Sequence, residues 1–218
     1  MIKISSINKT IYGSVDLESS KSISNRLLII KELCKTKFEI QNLSNAKDTK
    51  ILNGILNSFE TKKEINCEDA GTALRFLIAF ISTKEGIWKV SGSKRMHERP
   101  VKPLIDCLKE LGAEIKYLEK EGFPPLEIKS KKLKSKKLSL PGDISSQFIS
   151  ALLLVAPTIE NGLTLEITSK VLSKPYIDMT LGLMSEFGIE YSWENNVIKV
   201  EQQNYIACLL YTSDAADD

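Results

Sequence analysis

The chain has 218 residues, 42% of them hydrophobic and 27% charged, the balance of an ordinary folded protein with one domain or two small ones. Thirty basic against 28 acidic side chains leave a net charge of +2, so the chain as a whole does not advertise nucleic-acid binding and any anion site must rest on local clusters. No apolar run approaches the ~20 residues of a membrane span, and Met1-Ile2-Lys3-Ile4-Ser5 has no apolar signal segment, so a cytoplasmic location is expected.

In chain order, Ile23, Leu27, Ile30 and Cys34 recur at helical spacing and predict a first helix, with Arg26 and Lys31 off the stripe. A β-prone run from Phe38 to Gln41 follows, then a helix from Ile51 to Phe59 and a third from Gly71 to Ile81. After a strand at Trp88 to Val90, the fourth helix runs from Val101, behind Pro100, to Leu111, where Gly112 stops it. Strands are predicted at Ile115 to Leu118 and Leu126 to Ile128. The fifth helix, Phe148 to Ala156, is apolar nearly all round and should be deeply buried before Pro157 halts it. A strand at Leu163 to Ile167, a sixth helix from Tyr176 to Phe187 ending at Gly188, and strands at Ile189 to Trp193 and Val197 to Val200 complete the series.

Helices and strands alternate, which predicts an α/β fold. Leu108-Lys-Glu-Leu-Gly112-Ala-Glu-Ile-Lys-Tyr117 with Pro125-Leu-Glu-Ile-Lys129 resembles Met184-Ser-Glu-Phe-Gly188-Ile-Glu-Tyr-Ser-Trp193 with Asn196-Val-Ile-Lys-Val200. Each is a helix end, a glycine stop and a hairpin, so a pseudo-symmetric arrangement of copied units around a shared core is expected.

Lys129 to Lys137 holds six lysines and no aromatic side chain, and reads as a solvated connection rather than a single-strand nucleic-acid groove. Residues 204–218 continue no repeat and end in small acidic residues, and are read as a probable non-native tail. Cys34, Cys67, Cys107 and Cys208 form no CxxC pair and have only His97 beside them, so buried or inert thiols are expected rather than a metal site or a disulfide framework.

Five segments carry chemistry. Ser20-Lys21-Ser22-Ile23-Ser24-Asn25-Arg26 opens the first helix with hydroxyls and two cations, a pattern that serves an anion site or a plain N-cap. In Asp69-Ala-Gly71-Thr72-Ala-Leu-Arg75, Gly71 permits close backbone approach, and a cation sits near a helix N-terminus where the macrodipole disfavours it, a mismatch an anion relieves. Ser93-Lys-Arg95-Met-His97-Glu-Arg99-Pro100 puts three fixed cations on one loop. Gly142-Asp-Ile-Ser145-Ser146-Gln147 opens the apolar fifth helix, and Ser173-Lys-Pro-Tyr176-Ile-Asp178 opens the sixth. If copied units aim these helix starts at one region, they form a site for a doubly anionic, hydroxylated small molecule.

The five segments, in this order, resemble the N-terminal half of the EPSP synthase (3-phosphoshikimate 1-carboxyvinyltransferase) family, over about Ile4 to Val200. The resemblance implies repeated βαβαββ units in a pseudo-threefold domain. Residues 19–203 would form the phosphoshikimate-binding domain of three such units, and 1–18 would belong to the distal domain. It also implies transfer of the enolpyruvyl group of phosphoenolpyruvate to shikimate 3-phosphate without a cofactor or metal. By resemblance Lys21 contacts both substrates, Ser22 and Arg26 hold the shikimate moiety, and Gly71 and Arg95 take phosphoenolpyruvate, with Thr72 beside them. Ser145, Ser146, Gln147, Ser173 and Tyr176 line the phosphoshikimate site. The family's acid/base carboxylates and the rest of its phosphoenolpyruvate site lie in a C-terminal half this chain lacks, so the fragment is expected to be inactive alone.

This chain departs from the family pattern at Glu18-Ser19, where Pro-Gly is usual, and at Asp69, often Asn. A carboxylate there weakens an anion site unless it is paired or turned away. Three readings compete: the sister transferase acting on UDP-N-acetylglucosamine, a non-catalytic phosphate-binding module, and an RNA binder built on the lysine run.

Overall fold

The computed structural model describes residues 14, 17–36, 38–130 and 132–207. Two helices come first, α1 (Lys21–Leu33), whose N-cap Ser20 accepts from the Ile23 N–H, and α2 (Lys47–Asn57). A full unit follows: β1 (Glu64–Asn66), α3 (Gly71–Ile81), β2 (Gly86–Ser91), α4 (Lys102–Glu110), β3 (Glu114–Tyr117) and β4 (Leu126–Ser130). A second repeats the order: β5 (Lys137–Leu140), α5 (Ser146–Val155), β6 (Leu163–Ile167), α6 (Lys174–Glu186), β7 (Tyr191–Glu194) and β8 (Val197–Val200).

The two units have the same sheet. Strand orders are β1-β2-β4-β3 and β5-β6-β8-β7. In each, the first two strands are parallel and the closing hairpin is antiparallel to the second strand. Of the three expected units, the described residues complete these two. The first is represented by α1 and α2, and residues 58–63 lead from α2 straight into β1, with no hairpin between. The expected strand at Phe38 to Gln41 is a single bridge residue at Gln41.

The first helix of each unit lies inside. In α3 every residue but Thr72 is buried, in α5 every residue but Gln147, and in α1 the stretch Ser24 to Ile30. These three helices pack on one another, while α2, α4 and α6 cover them with narrower apolar faces. Burying such apolar surface at roughly 25 cal/mol per Å² is what holds the units together.

The lysine run is the end of β4, a connection and the start of β5. Lys129, Lys132, Lys136 and Lys137 pair with Glu114, Glu160, Glu110 and Glu166. Within the segment read as a tail, Tyr205 is 3% exposed and donates to the Leu154 carbonyl at 2.8 Å, and the Ile206 N–H reaches the Phe187 carbonyl. Residues 208–218, with Cys208, lie outside the described part, as does nearly all of 1–18. Cys67 and Cys107 are buried thiols, each raised to about 12 by desolvation, and Cys34 is half-buried.

Candidate anion site at the helix starts

Because α1, α3 and α5 pack together, their N-terminal turns are neighbours, and two buried arginines tie them. Arg26, on α1, is 2% exposed. Its Nε donates to Thr180 Oγ1 on α6 at 2.7 Å, one terminal nitrogen to the Ser22 carbonyl at 2.8 Å, and the other to Ser150 Oγ on α5 and the Tyr176 carbonyl, both at 3.1 Å. A guanidinium has five N–H donors, so the network uses all but one. Ser150 and Thr180 also bond each other at 2.8 Å, and the Arg26 guanidinium lies 5.4 Å from the centre of the Phe76 ring. Desolvation lowers the Arg26 pKa to about 10, a cost these dipoles offset.

Arg75 repeats the device on α3. It is 4% exposed, bonds the Gly71 carbonyl and Gln147 Oε1, both at 3.0 Å, and lies 5.2 Å from the Phe148 ring centre. Gln147 in turn donates from Nε2 to Thr72 Oγ1 at 3.1 Å. Burial, and then the nearby Arg99 cation, lower the Arg75 pKa to about 10. The Arg99 guanidinium covers Gly71, where a Cβ would collide with it. Two guanidinium groups thus meet at the start of α3, whose N-cap Ala70 offers no side-chain acceptor, and a bound anion would neutralise them.

Around these inward-facing groups stand outward-facing ones. The Lys21 ammonium is half-exposed, 3.9 Å from Asp48 at the start of α2. Arg95 is exposed, and its side chain has no hydrogen bond or ion pair among the described residues. Ser145 caps α5, accepting from the Gln147 N–H at 3.4 Å, and Ser146 beside it is buried. Ser173 is the N-cap of α6 with no side-chain cap bond, and Tyr176 is 47% exposed with its hydroxyl unengaged among the described residues. Asp69 does not cap α3: it accepts a hydrogen bond from the Ser93 hydroxyl and is turned toward that loop. His97 bridges Ser91 at 3.0 Å and Glu119 at 3.5 Å, as a hydrogen-bonded side chain.

Direct contacts join Gly71, Thr72 and Gln147 through Arg75, and join Ser22 to Tyr176 through Arg26. Gln147 and Ser150, one turn apart on α5, link the two groups. Ser145 and Ser173 meet the expected set only through local cap bonds, from the Gln147 and Tyr176 N–H groups, while the side chains of Lys21, Arg95 and Ser146 sit at the same helix starts and loop without hydrogen-bonding to the other expected residues among the described ones. Arg26 departs from expectation, since its donors are spent inside the protein. Arg75, read from the sequence as a cation whose place at a helix start an anion would relieve, instead faces inward to Gln147; Ser150 and Thr180 were absent from the expected set. A cleft of about 480 Å³ between α2 and β1, lined by Lys50, Ile51, Ile55 and Ile65 among others, holds none of the expected residues.

The sequence profile described as EPSP synthase (3-phosphoshikimate 1-carboxyvinyltransferase) matches residues 6–66 and 51–207. The chain is 44% identical over 203 residues to the 3-phosphoshikimate 1-carboxyvinyltransferase of Bacteroides fragilis (strain YCH46), covering 93% of this chain and 49% of that protein. It is 35% identical over 233 residues to the enzyme of that name from Shewanella woodyi, covering 94% and 54%. The chain therefore spans about half the length of the curated relatives it matches. A solved EPSP synthase from Acinetobacter baumannii superposes with a TM-score of 0.78 at 18% identity, over 89% of this chain and 48% of that one, a likeness of fold.

Proposed function

The chain belongs to the EPSP synthase family, and on that premise we propose that it carries the shikimate 3-phosphate half of an enolpyruvyl transferase site. Residues 19–203 form the substrate domain in this reading and 1–18 pair with the opposite domain. Enolpyruvyl transfer from phosphoenolpyruvate is the activity of the complete two-half protein. What supports the reading is the gathering of cations, hydroxyls and an amide at neighbouring helix starts, with Asp69 drawn away to Ser93 and Asp48 standing 3.9 Å from Lys21.

Each group has a role that follows from its chemistry. Lys21, a mobile point charge, stands where both anionic substrates meet. Ser22, Ser145, Ser146, Gln147, Ser173 and Tyr176 supply neutral donors for the ring hydroxyls and phosphate of shikimate 3-phosphate. Gly71, Thr72 and Arg95 face phosphoenolpyruvate, Gly71 because its bare Cα makes room for the Arg99 guanidinium beside the α3 N-terminus. Arg26, with one free N–H, acts on the site through Ser22 and Tyr176. Fixed donors of this kind hold two anions side by side and stabilise the charge of the tetrahedral adduct, while the acid/base groups come from the other half.

Calorimetry of the 218-residue chain with shikimate 3-phosphate tests the reading. Saturable binding, weakened about tenfold by Lys21→Ala, is expected, a factor typical of losing one charge-assisted contact. No phosphate release from the two substrates together is expected. Preference for a UDP-sugar, or no binding of shikimate 3-phosphate, overturns it.

A further inference from the structure

Arginine only donates hydrogen bonds, and this fixes the direction of every bond beyond Arg75. Its terminal nitrogen lies 3.0 Å from the Gln147 side chain, so the atom facing it must be the amide oxygen. The amide nitrogen is then the atom 3.1 Å from Thr72 Oγ1, which must accept. The hydrogens left unspent are the second amide N–H of Gln147 and the Thr72 hydroxyl, both donors. Arg75 is itself held by the Gly71 and Pro100 carbonyls and by Phe148, so it cannot turn to follow Gln147.

We propose that Arg75 is the positioning residue that sets the polarity of this site: it locks the Gln147 amide so that Gln147 and Thr72 present donors, selecting an anionic ligand. The proposal rests on the half-site reading above for the identity of that ligand. Arg75 contributes through Gln147 and not by touching the ligand.

A double-mutant cycle on the full chain, read by calorimetry with shikimate 3-phosphate, separates these roles. Arg75→Gln, whose new side chain both donates and accepts, should weaken binding about tenfold, the cost of a buried bond left unmade. Arg75→Lys remains donor-only and should stay within about threefold of the parent. In a Gln147→Ala background Arg75→Gln should have almost no further effect. An equal loss in that background, or an Arg75→Lys variant as weak as Arg75→Gln, overturns the proposal. Heteronuclear NMR of the Gln147 side-chain amide gives a readout that needs no ligand: its two proton signals should be displaced from free-amide positions in the parent and in Arg75→Lys and return toward them in Arg75→Gln. Unchanged signals in Arg75→Gln overturn it. Should Arg75→Gln fail to fold, Gln147→Glu decides. An acceptor-only side chain there should pair with Arg75 and raise the melting temperature, and a lowered one refutes the contact. If the parent does not bind shikimate 3-phosphate, the half-site reading falls, while the amide spectra still decide the role of Arg75.

Discussion

Replacing Arg26 by methionine keeps much of the stem against Phe76 and removes the charge. The magnitude follows from two opposing quantities. Four hydrogen bonds from a charged donor are lost, at about 1.5 kcal/mol each or roughly 6 kcal/mol together. Against this, a guanidinium whose pKa burial has lowered to about 10 carries roughly 3 kcal/mol of desolvation cost that the variant escapes. The acceptors are not orphaned, because Ser150 and Thr180 bond each other and Thr180 still donates to the Tyr176 carbonyl. The net is a destabilisation of about 3 kcal/mol. With a urea slope of about 2.5 kcal/mol per molar, the unfolding midpoint should fall by about 1 M. Arg26→Lys keeps the buried charge but loses the planar fork, so it should cost at least as much as methionine. An Arg26→Met midpoint equal to or above the parent's would refute the reasoning, because desolvation would then outweigh the bonds.

Other perturbations test the surrounding fold. Gly162 has φ of +74° and a Cβ there would collide with the Val200 carbonyl oxygen, so Gly162→Ala should cost about 2 kcal/mol or more, read as a lowered melting temperature. Tyr205→Phe deletes one buried bond to the Leu154 carbonyl and should cost about 1 kcal/mol in urea unfolding. Burial raises the Tyr205 pKa well above its ordinary 10, so the unfolded chain gives up this proton first. Its contribution is therefore complete below pH ~10 and shrinks as pH rises beyond that; in Tyr205→Phe the alkaline decline of stability should be shallower. Neutralising Lys136 and Lys137 together should move stability by under about 1 kcal/mol, since exposed pairs contribute little. The parent should not be retained on single-stranded RNA at physiological salt, and retention lost on that neutralisation would restore the nucleic-acid reading.

Much of the fold was legible. The third helix was predicted over Gly71 to Ile81 and forms there, because its apolar residues run unbroken from a glycine start. The strand Leu163 to Ile167 alternates cleanly, Val197 to Val200 is rich in β-branched residues, and both form as predicted. β1 was missed because it is three residues long with one apolar side chain, Ile65, and β5 because the lysine run obscured the alternation of Leu138 and Leu140. α2 begins at Lys47, before its first apolar residue, from an N-cap alanine that carries no capping signal. For the site, residue type predicted cations at helix starts, but not which way they face. Arg26 lies off the Ile23, Leu27 and Ile30 stripe and so reads as exposed. The helix is buried on all sides from Ser24 to Ile30, leaving no outer face for it.

The Arg26 network also ties the order of synthesis to the order of folding. Its acceptor on α6 lies 154 residues downstream, beyond the first sheet and the first two strands of the second. A chain growing from its N-terminus therefore carries an unsatisfied cation in its first helix until nearly the whole of the described sequence has been made. Closing so long a loop must precede the reward. A nascent chain stalled before Thr180 therefore has an α1 whose Arg26 still lacks its shortest bond, the one to Thr180 Oγ1.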